Sequence, residues 1–202
     1  MVHRRAAPPA LILLALLFGC RPASGPDVVV HGAPTVSGTA LAQAAGALVG
    51  APVTVSAMAE RAWATCTPPG GGTALKAEDG PRFDRPTVVL TASALAVDQP
   101  GAPCTRVFGA APPGTNAVLI SDREVRGRCS SMPHADAIAA VIAHELGHAR
   151  GIPPPGDGTT CTGRGCHCDD ASCLMNDGHG GCPQPGEQLC ARCRGATPRD
   201  TR

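Results

Sequence analysis

Two histidines lie four residues apart in the segment His144-Glu145-Leu146-Gly147-His148. On an α-helix this spacing places both imidazoles on one face, one turn apart, so that both can reach a single metal ion. Glu145 lies about a third of a turn away, close enough to contact a water on that metal without being a ligand. The segment therefore predicts a metal site with His144 and His148 as ligands and Glu145 as general base.

The residues after this motif resemble those of one family. Gly151 follows His148 at the spacing by which metzincins turn the chain at the end of their active-site helix. The chain then contains His167-Cys168-Asp169-Asp170-Ala171-Ser172-Cys173-Leu174-Met175, and Cys190-Ala191-Arg192-Cys193 follows after fourteen more residues. This order resembles the archaemetzincins, a family of metzincin-like zinc peptidases, and weaker strand matches extend the resemblance over roughly residues 28–193.

The resemblance implies roles for residues of the cysteine-rich segment. His167 would be the third ligand of the catalytic zinc, and Met175 would lie in the turn beneath that zinc as a hydrophobic floor. A second, structural zinc would be held by four thiolates, those of Cys168, Cys173, Cys190 and Cys193. Four sulfur ligands close the coordination sphere, so the second zinc would stabilise loops and take no part in the reaction.

The sequence departs from the family pattern at the third histidine. Position 154, where metzincins have it, is Pro, and His167 stands thirteen residues later. The insertion 154–166 could displace the third ligand, although a bridge between Cys161 and Cys166 would let it bulge outward. The other candidate third ligands are Asp157, Asp169, Asp170 and His179.

The four cysteines assigned to the structural zinc have an alternative state. In an oxidising compartment they could form two disulfides, and Cys190 with Cys193 could even form a redox pair. Apart from Cys20, six cysteines remain, an even number that suits three disulfides with fifteen possible pairings: Cys66, Cys104, Cys129, Cys161, Cys166 and Cys182. Proximity favours Cys161 with Cys166.

The elements that must position these residues can be predicted from apolar patterns. Strands are predicted at 28–30, 53–55, 86–91, 106–109 and 116–121, with a helix over 39–49, and the first two strands should pair in parallel. A second helix should start with a hydroxyl cap at Ser130-Ser131, place Pro133 in its first turn and run to about Ala149. Segments 98–104 and 112–115 should be turns.

These elements predict an α+β fold. The resemblance specifies a zincin-like domain with a mixed sheet of about five strands, an active-site helix and a Cys-rich C-terminal half, and a cleft along the sheet edge. That domain should span 28–193, and residues 194–202 should form a flexible tail.

The first residues indicate export. A basic start precedes a nine-residue apolar run, Ala10 to Phe18, which is too short to span a bilayer. Leu17-Phe18-Gly19-Cys20 resembles a lipobox, so residues 1–20 are predicted to be a lipoprotein signal peptide, Cys20 to be lipidated, and 21–27 to be a tether. An ordinary signal peptide is the alternative. Either way the mature chain would lie outside the cytoplasm, in the first case as a membrane-anchored lipoprotein of the cell envelope.

Composition narrows the possible partners. The 202 residues carry 17 Lys+Arg against 16 Asp+Glu, a net charge of +1, and no segment concentrates the basic residues. We therefore expect no nucleic-acid partner.

The expected activity is that of a zinc-dependent peptidase with a peptide or protein substrate and two zinc ions per chain. The alternatives are a zinc-binding, disulfide-stabilised lipoprotein without catalysis, and a disulfide-built surface module in which the helix motif is accidental.

Overall fold

A computed structural model describes residues 27–31, 54–57, 63–84, 87–162, 165–176, 182 and 188–195. Several predicted features lie outside these ranges: the signal peptide with Cys20, nearly all of the tether, the helix over 39–49, the candidate ligand His179 and most of the tail.

The secondary structure of the described residues is as follows, in chain order. The strands are β1 (Asp27–His31), β2 (Thr54–Ala57), β3 (Thr65–Cys66), β4 (Ala74–Lys76), β5 (Thr87–Thr91), β6 (Ala94–Gln99), β7 (Ala102–Val107), β8 (Gly109–Ala110), β9 (Ala117–Ser121), β10 (Thr159–Thr162) and β11 (Gly165–Cys168). The helices are α1 (Asp122–Arg128), α2 (His134–Ala149) and α3 (Ala191–Gly195), and a 3₁₀ turn spans Ala77–Asp79.

The main sheet is mixed and has five strands in the order β2-β1-β5-β9-β8. Four of them run in parallel, and the short edge strand β8 is antiparallel to β9. Every residue of β5 and β9 is buried, as expected for apolar central strands that are covered on both faces. The sheet confirms the predicted strand number and the parallel pairing of β1 with β2.

A second sheet was not expected from the sequence. It has four strands in the order β3-β4-β6-β7, and it packs on the main sheet through Trp63, Val89, Leu95 and Leu119. The turn predicted over 98–104 is shorter than expected and consists of Pro100 and Gly101 only, because β6 extends to Gln99 and β7 begins at Ala102. Asp98 and Pro103 suggested a break, but a proline is tolerated in an edge strand such as β7.

Helix α2 packs on the other face of the main sheet. Ile138, Val141, Ile142 and Leu146 form the predicted apolar side of the helix, and they pack against alternate residues of β5 and β9. This contact fixes the rotation of the helix about its axis. Because His144, Glu145 and His148 are only half-buried, they remain accessible from the cleft beside the sheet.

The start of α2 differs from the prediction. Pro133 occupies the N-cap position and no side chain caps the helix, so the expected hydroxyl cap from Ser130-Ser131 is wrong. A hydroxyl cap is found instead on α1, a helix not expected from the sequence, where the Ser121 Oγ accepts from the Glu124 N–H at 3.1 Å. The predicted end of α2 is confirmed, since Gly151 takes a positive φ of 72° directly after the helix.

The insertion before His167 forms a hairpin. Strands β10 and β11 pair antiparallel, with Cys161 opposite Cys166 and Thr160 opposite His167. Below the hairpin, Ile152, Cys168, Cys173, Met175 and Cys193 form a separate small core. Among the described residues, no helix combines the length and the apolar character that crossing a bilayer requires.

Candidate metal centres

Three imidazoles converge from two distant parts of the chain. His144 and His148 come from adjacent turns of α2, and His167 comes from β11. The Nε2 atom of His148 lies 3.0 Å from that of His144 and 3.2 Å from that of His167. Three nitrogens that each lie about 2.0–2.1 Å from a tetrahedral zinc would be roughly 3.3 Å apart. The spacing of the three imidazoles therefore fits a shared zinc ion.

The orientation of His144 is set by the loop below α2. Its Nδ1 lies 2.7 Å from the Leu174 carbonyl oxygen, so the Nδ1–H donates to this oxygen and the Nε2 faces the other two imidazoles. A backbone acceptor on the far nitrogen is how proteins commonly fix the tautomer of a metal-binding histidine. The loop thus prepares the lone pair that a metal would use.

The other candidate third ligands do not join this group. Asp169 accepts a hydrogen bond from the Thr160 hydroxyl at 3.0 Å. Hydrogen bonds from the Ser172 hydroxyl and backbone N–H hold the pKa of Asp170 below its usual range. Asp157 is exposed. Of the candidates in the described part of the chain, His167 alone lies with His144 and His148.

Glu145 lies over the edge strand of the main sheet. A Cβ placed on Gly109 of β8 would be 2.6 Å from its Cγ and 2.9 Å from its Oε1, so the carboxylate occupies space that a side chain would otherwise fill. Sequence reasoning did not identify this role of Gly109. The signal was present, because a glycine inside a strand often marks a close approach.

Met175 contacts the helix from below. It is fully buried, and its sulfur lies so close to Gly147 that a Cβ on that residue would overlap it. Gly147 precedes His148 in the helix motif, so the absence of its side chain lets Met175 pack directly under the turn that carries the histidines. This placement suits the floor that the resemblance implied for Met175.

Four cysteines form a second cluster, with their sulfurs within 4.8 Å of one another: Cys168, Cys173, Cys190 and Cys193. All four are free thiols. The Cys168 and Cys190 sulfurs are 3.7 Å apart, and those of Cys173 and Cys193 are 3.6 Å apart. Sulfurs at about 2.3 Å from a tetrahedral zinc would be roughly 3.8 Å apart, so the cluster fits one zinc ion.

The thiols of this cluster differ in acidity. Burial raises the pKa of Cys168 and of Cys193 above the usual thiol range. Burial also opposes ionisation of Cys190, but hydrogen bonds from the Cys193 backbone and from the surrounding thiols outweigh it and lower the pKa of Cys190 to about 7. Ionisation of all four therefore requires a compensating cation.

The other six cysteines form three disulfides. Cys66 bonds to Cys104 within the second sheet, and Cys129 bonds to Cys182. Cys161 bonds to Cys166 across the hairpin, which is the pairing that proximity favoured. The last bond lies directly beside His167.

A cleft of about 450 Å³ opens over the histidines. It runs along the edge strands β7 and β8, as the sequence predicted for the sheet edge, and the imidazoles of His144, His148 and His167 line it together with Glu145.

Solved structures of zinc peptidases share this fold. A zinc-dependent peptidase from Methanocorpusculum labreanum (strain Z) superposes with a TM-score of 0.55 at 16% sequence identity, over 83% of this chain and 97% of that chain. Archaemetzincin from Archaeoglobus fulgidus, solved in complex with malonate, superposes with a TM-score of 0.51 at 17% identity, over 83% of this chain and 98% of that chain. No protein-family profile and no curated protein matches the chain in sequence. The chain therefore has an α+β, zincin-like fold, as the sequence predicted.

Proposed function

We propose that this protein is a zinc-dependent peptidase. The observation that supports the proposal best is the convergence of His144, His148 and His167, with Nε2 separations of 3.0 and 3.2 Å, in a cleft that also contains the Glu145 carboxylate. A hydrolytic zinc site can be built from three imidazole nitrogens as ligands and one adjacent carboxylate as general base. Zinc peptidases of the same fold add support.

In this proposal the three imidazoles would hold the catalytic zinc through their Nε2 atoms. When bound, zinc supplies a Lewis acid for the scissile carbonyl and makes a coordinated water acidic enough to react near neutral pH. The Leu174 carbonyl keeps His144 in the required tautomer. Met175 supports the same helical turn from below.

Glu145 moves the proton. Its carboxylate takes a proton from the attacking water as the hydroxyl adds to the carbonyl carbon, and then gives it to the amide nitrogen as the C–N bond breaks. One water is consumed, and the products are a carboxylic acid and an amine. The position of Glu145 over Gly109 keeps the carboxylate at the cleft.

A second zinc would be held by Cys168, Cys173, Cys190 and Cys193. Their sulfurs, 3.6–3.7 Å apart in the two closest pairs, already have the spacing of a tetrahedral sulfur site. Such a site has no open position, so it would stabilise the C-terminal half and take no part in hydrolysis.

The proposed location is the cell envelope, with the membrane as partner through a lipid on Cys20. The lipobox-like Leu17-Phe18-Gly19-Cys20 supports this, and so do the three disulfides, because disulfides persist outside the cytoplasm. The substrate would then be a peptide or protein reaching the envelope.

The variant Glu145→Gln tests the mechanism. It keeps the shape of the side chain but cannot accept the proton, so we expect kcat on a peptide library to fall by roughly 10²- to 10⁴-fold. The zinc content should remain that of the wild type, because Glu145 is not a ligand. Wild-type cleavage rates in zinc-loaded Glu145→Gln would refute this role.

The non-catalytic alternative makes a different prediction. A displaced His167 would favour this alternative. The His167 Nε2 lies 3.2 Å from the His148 Nε2, so His167 is not displaced. Two zinc ions per chain with no cleavage of any library peptide would nevertheless select it.

A further inference from the structure

Arg128 forms part of the wall of the proposed peptidase cleft. It ends α1, and its guanidinium lies over the Phe108 ring, 5.0 Å from the centroid. Its Nη2 donates to the Glu124 Oε2 at 3.1 Å. The side chain is nevertheless 45% exposed, whereas that of Glu124 is 7% exposed. The ring and the buried carboxylate therefore hold the guanidinium in place while part of it faces the cleft.

The charge beside Arg128 is not balanced. Arg106 also lines the cleft, and its Nη1 lies 3.8 Å from the Oε1 of the same Glu124. The single carboxylate of Glu124 thus faces two guanidinium groups and can balance the charge of only one of them. The other acidic residues of the wall, apart from Glu145, are Glu78 and Asp98, and Asp98 is ion-paired with Lys76 at 2.6 Å.

Arg128 lines the same cleft as Glu145 and the three imidazoles. Phe108, which its guanidinium covers, directly precedes Gly109, over which Glu145 lies. Two consecutive residues of the cleft wall thus contact the guanidinium and the carboxylate. This placement offers Arg128 to a substrate side chain near the scissile bond.

We propose that Arg128 is a specificity-determining residue that selects substrates with an acidic side chain near the scissile bond. This inference rests on the proposed peptidase function. A guanidinium that is already oriented by Phe108 and Glu124 can form charge-assisted hydrogen bonds to a substrate carboxylate with little loss of side-chain freedom. A neutral amide of the same shape would lose most of this attraction.

Paired peptides test the proposal. Each pair differs by Glu or Gln at one of the two positions on either side of the cleaved bond, and kcat/KM is measured with the zinc-loaded full chain. We expect the wild type to prefer Glu by roughly 5- to 20-fold at one position, as for a partly exposed charged hydrogen bond. Arg128→Gln should reduce this preference, measured as the ratio of kcat/KM for the Glu and Gln peptides of a pair, to about twofold or less.

Arg126→Gln is the matched control. Arg126 lies on the same helix, pairs with Asp122 at the same i,i+4 spacing and is 52% exposed, but it does not line the cleft. This variant should keep the full preference for Glu. Equal loss in both variants would assign the effect to the net charge of the protein and overturn the proposal.

Failure of the inference and failure of the peptidase function give different results. Cleavage of all peptides without a Glu preference in the wild type overturns the role of Arg128, whether or not Arg128→Gln folds, and leaves the peptidase function intact. If nothing is cleaved, the proposed peptidase function is wrong. The role of Arg128 is then tested by measuring how tightly the zinc-loaded protein binds the same peptides, each labelled with a fluorophore. The inference is supported if the wild type binds Glu peptides more tightly than Gln peptides and if Arg128→Gln removes this difference. It is refuted if the wild type binds both kinds of peptide equally.

Discussion

Two glycines leave space for the side chains that complete the candidate catalytic site. Gly109 lies under Glu145, and Gly147 lies over Met175. A Cβ at either position would overlap the neighbouring side chain, since carbon atoms in contact are normally about 3.5–4.0 Å apart. These glycines therefore leave the space that Glu145, the proposed general base, and Met175 occupy.

The variant Gly109→Ala should misplace Glu145. The added Cβ would lie 2.6 Å from the Glu145 Cγ, so the carboxylate must move away from the edge strand. Because misplacing a reacting group by about 1 Å can cost about 100-fold in rate, we expect kcat/KM to fall by roughly 10- to 100-fold with unchanged zinc content. Enzyme kinetics together with zinc analysis would measure both.

Gly127→Ala serves as its control. A Cβ there would meet nothing within 4 Å, and the residue lies in α1, where Ala is favourable. It should leave peptide cleavage unchanged. If Gly109→Ala also kept the wild-type rate, the proposed constraint on Glu145 would be wrong.

Among the elements, the hairpin of β10 and β11 positions His167. The disulfide between Cys161 and Cys166 joins the two strands, and the next cross-strand pair is that of Thr160 with His167. At its base, the Gly158 carbonyl accepts from the Arg192 Nη1 at 2.5 Å and from the Asp169 backbone N–H at 3.1 Å. Arg192 stands between Cys190 and Cys193. The cysteine cluster and the disulfide thus hold the hairpin from opposite ends.

Removing the hairpin disulfide should weaken the histidine site. In Cys161→Ser/Cys166→Ser, His167 would sample more positions, so metal binding would have to restrict it again. We expect zinc affinity of the three-histidine site to fall by about tenfold, measured by competition with a chelator. The cysteine cluster should keep its own zinc ion.

The disulfide of Cys66 with Cys104 provides the comparison. It lies in the second sheet, away from the hairpin. Cys66→Ser/Cys104→Ser should lower thermal stability without a specific loss of zinc affinity at the histidines. Equal zinc affinity in the two double variants would show that the hairpin disulfide does not position His167.

At the scale of the whole molecule, the two candidate metal centres lie in parts of the fold that are stabilised by different contacts. The cysteine cluster joins the segment 168–176 to α3, and its residues Cys168, Cys173 and Cys193 pack with Met175 in one small core. Two of the three histidines of the other centre instead lie on α2, which packs against the main sheet through apolar side chains. Loss of the two metals should therefore have unequal effects on stability.

We expect two zinc ions per chain in the wild type and one in either single-site variant. Cys193→Ser should lower the midpoint of thermal unfolding by roughly 5–15 °C, because the binding free energy of a structural zinc is also folding free energy. His148→Ala should leave the midpoint within a few degrees and abolish peptide cleavage. Elemental analysis and calorimetry measure these quantities, and one zinc per wild-type chain with four oxidised cysteines would contradict the assignment.

Local patterns in the sequence were sufficient for a large part of the fold. The apolar spacing of Ile138, Val141, Ile142 and Leu146 predicted α2 and its buried face, because helix periodicity is a property of neighbouring residues. Four strands of the main sheet, β1, β2, β5 and β9, and the parallel pairing of β1 with β2 followed from apolar runs. The strand predicted over 106–109 is instead divided between the end of β7 and the start of β8. The hairpin of β6 and β7 and the helix α1 could not be predicted in this way. Neither β7 nor α1 has a clear apolar pattern, and both elements are defined by their packing against the rest of the fold.

For the site, the sequence by itself determined the residue types: two histidines one helical turn apart with a carboxylate beside them, a third histidine within a cysteine-rich segment, and ten cysteines besides Cys20. Only the tertiary structure decided which residues meet. It placed His167 with the helix rather than Asp169 or Asp170, and it placed Gly109 under Glu145. It also paired Cys66 with Cys104 and Cys129 with Cys182. The physical reason is that these contacts join residues far apart in the chain, and their distances are set by how the sheets, α2 and the hairpin pack together.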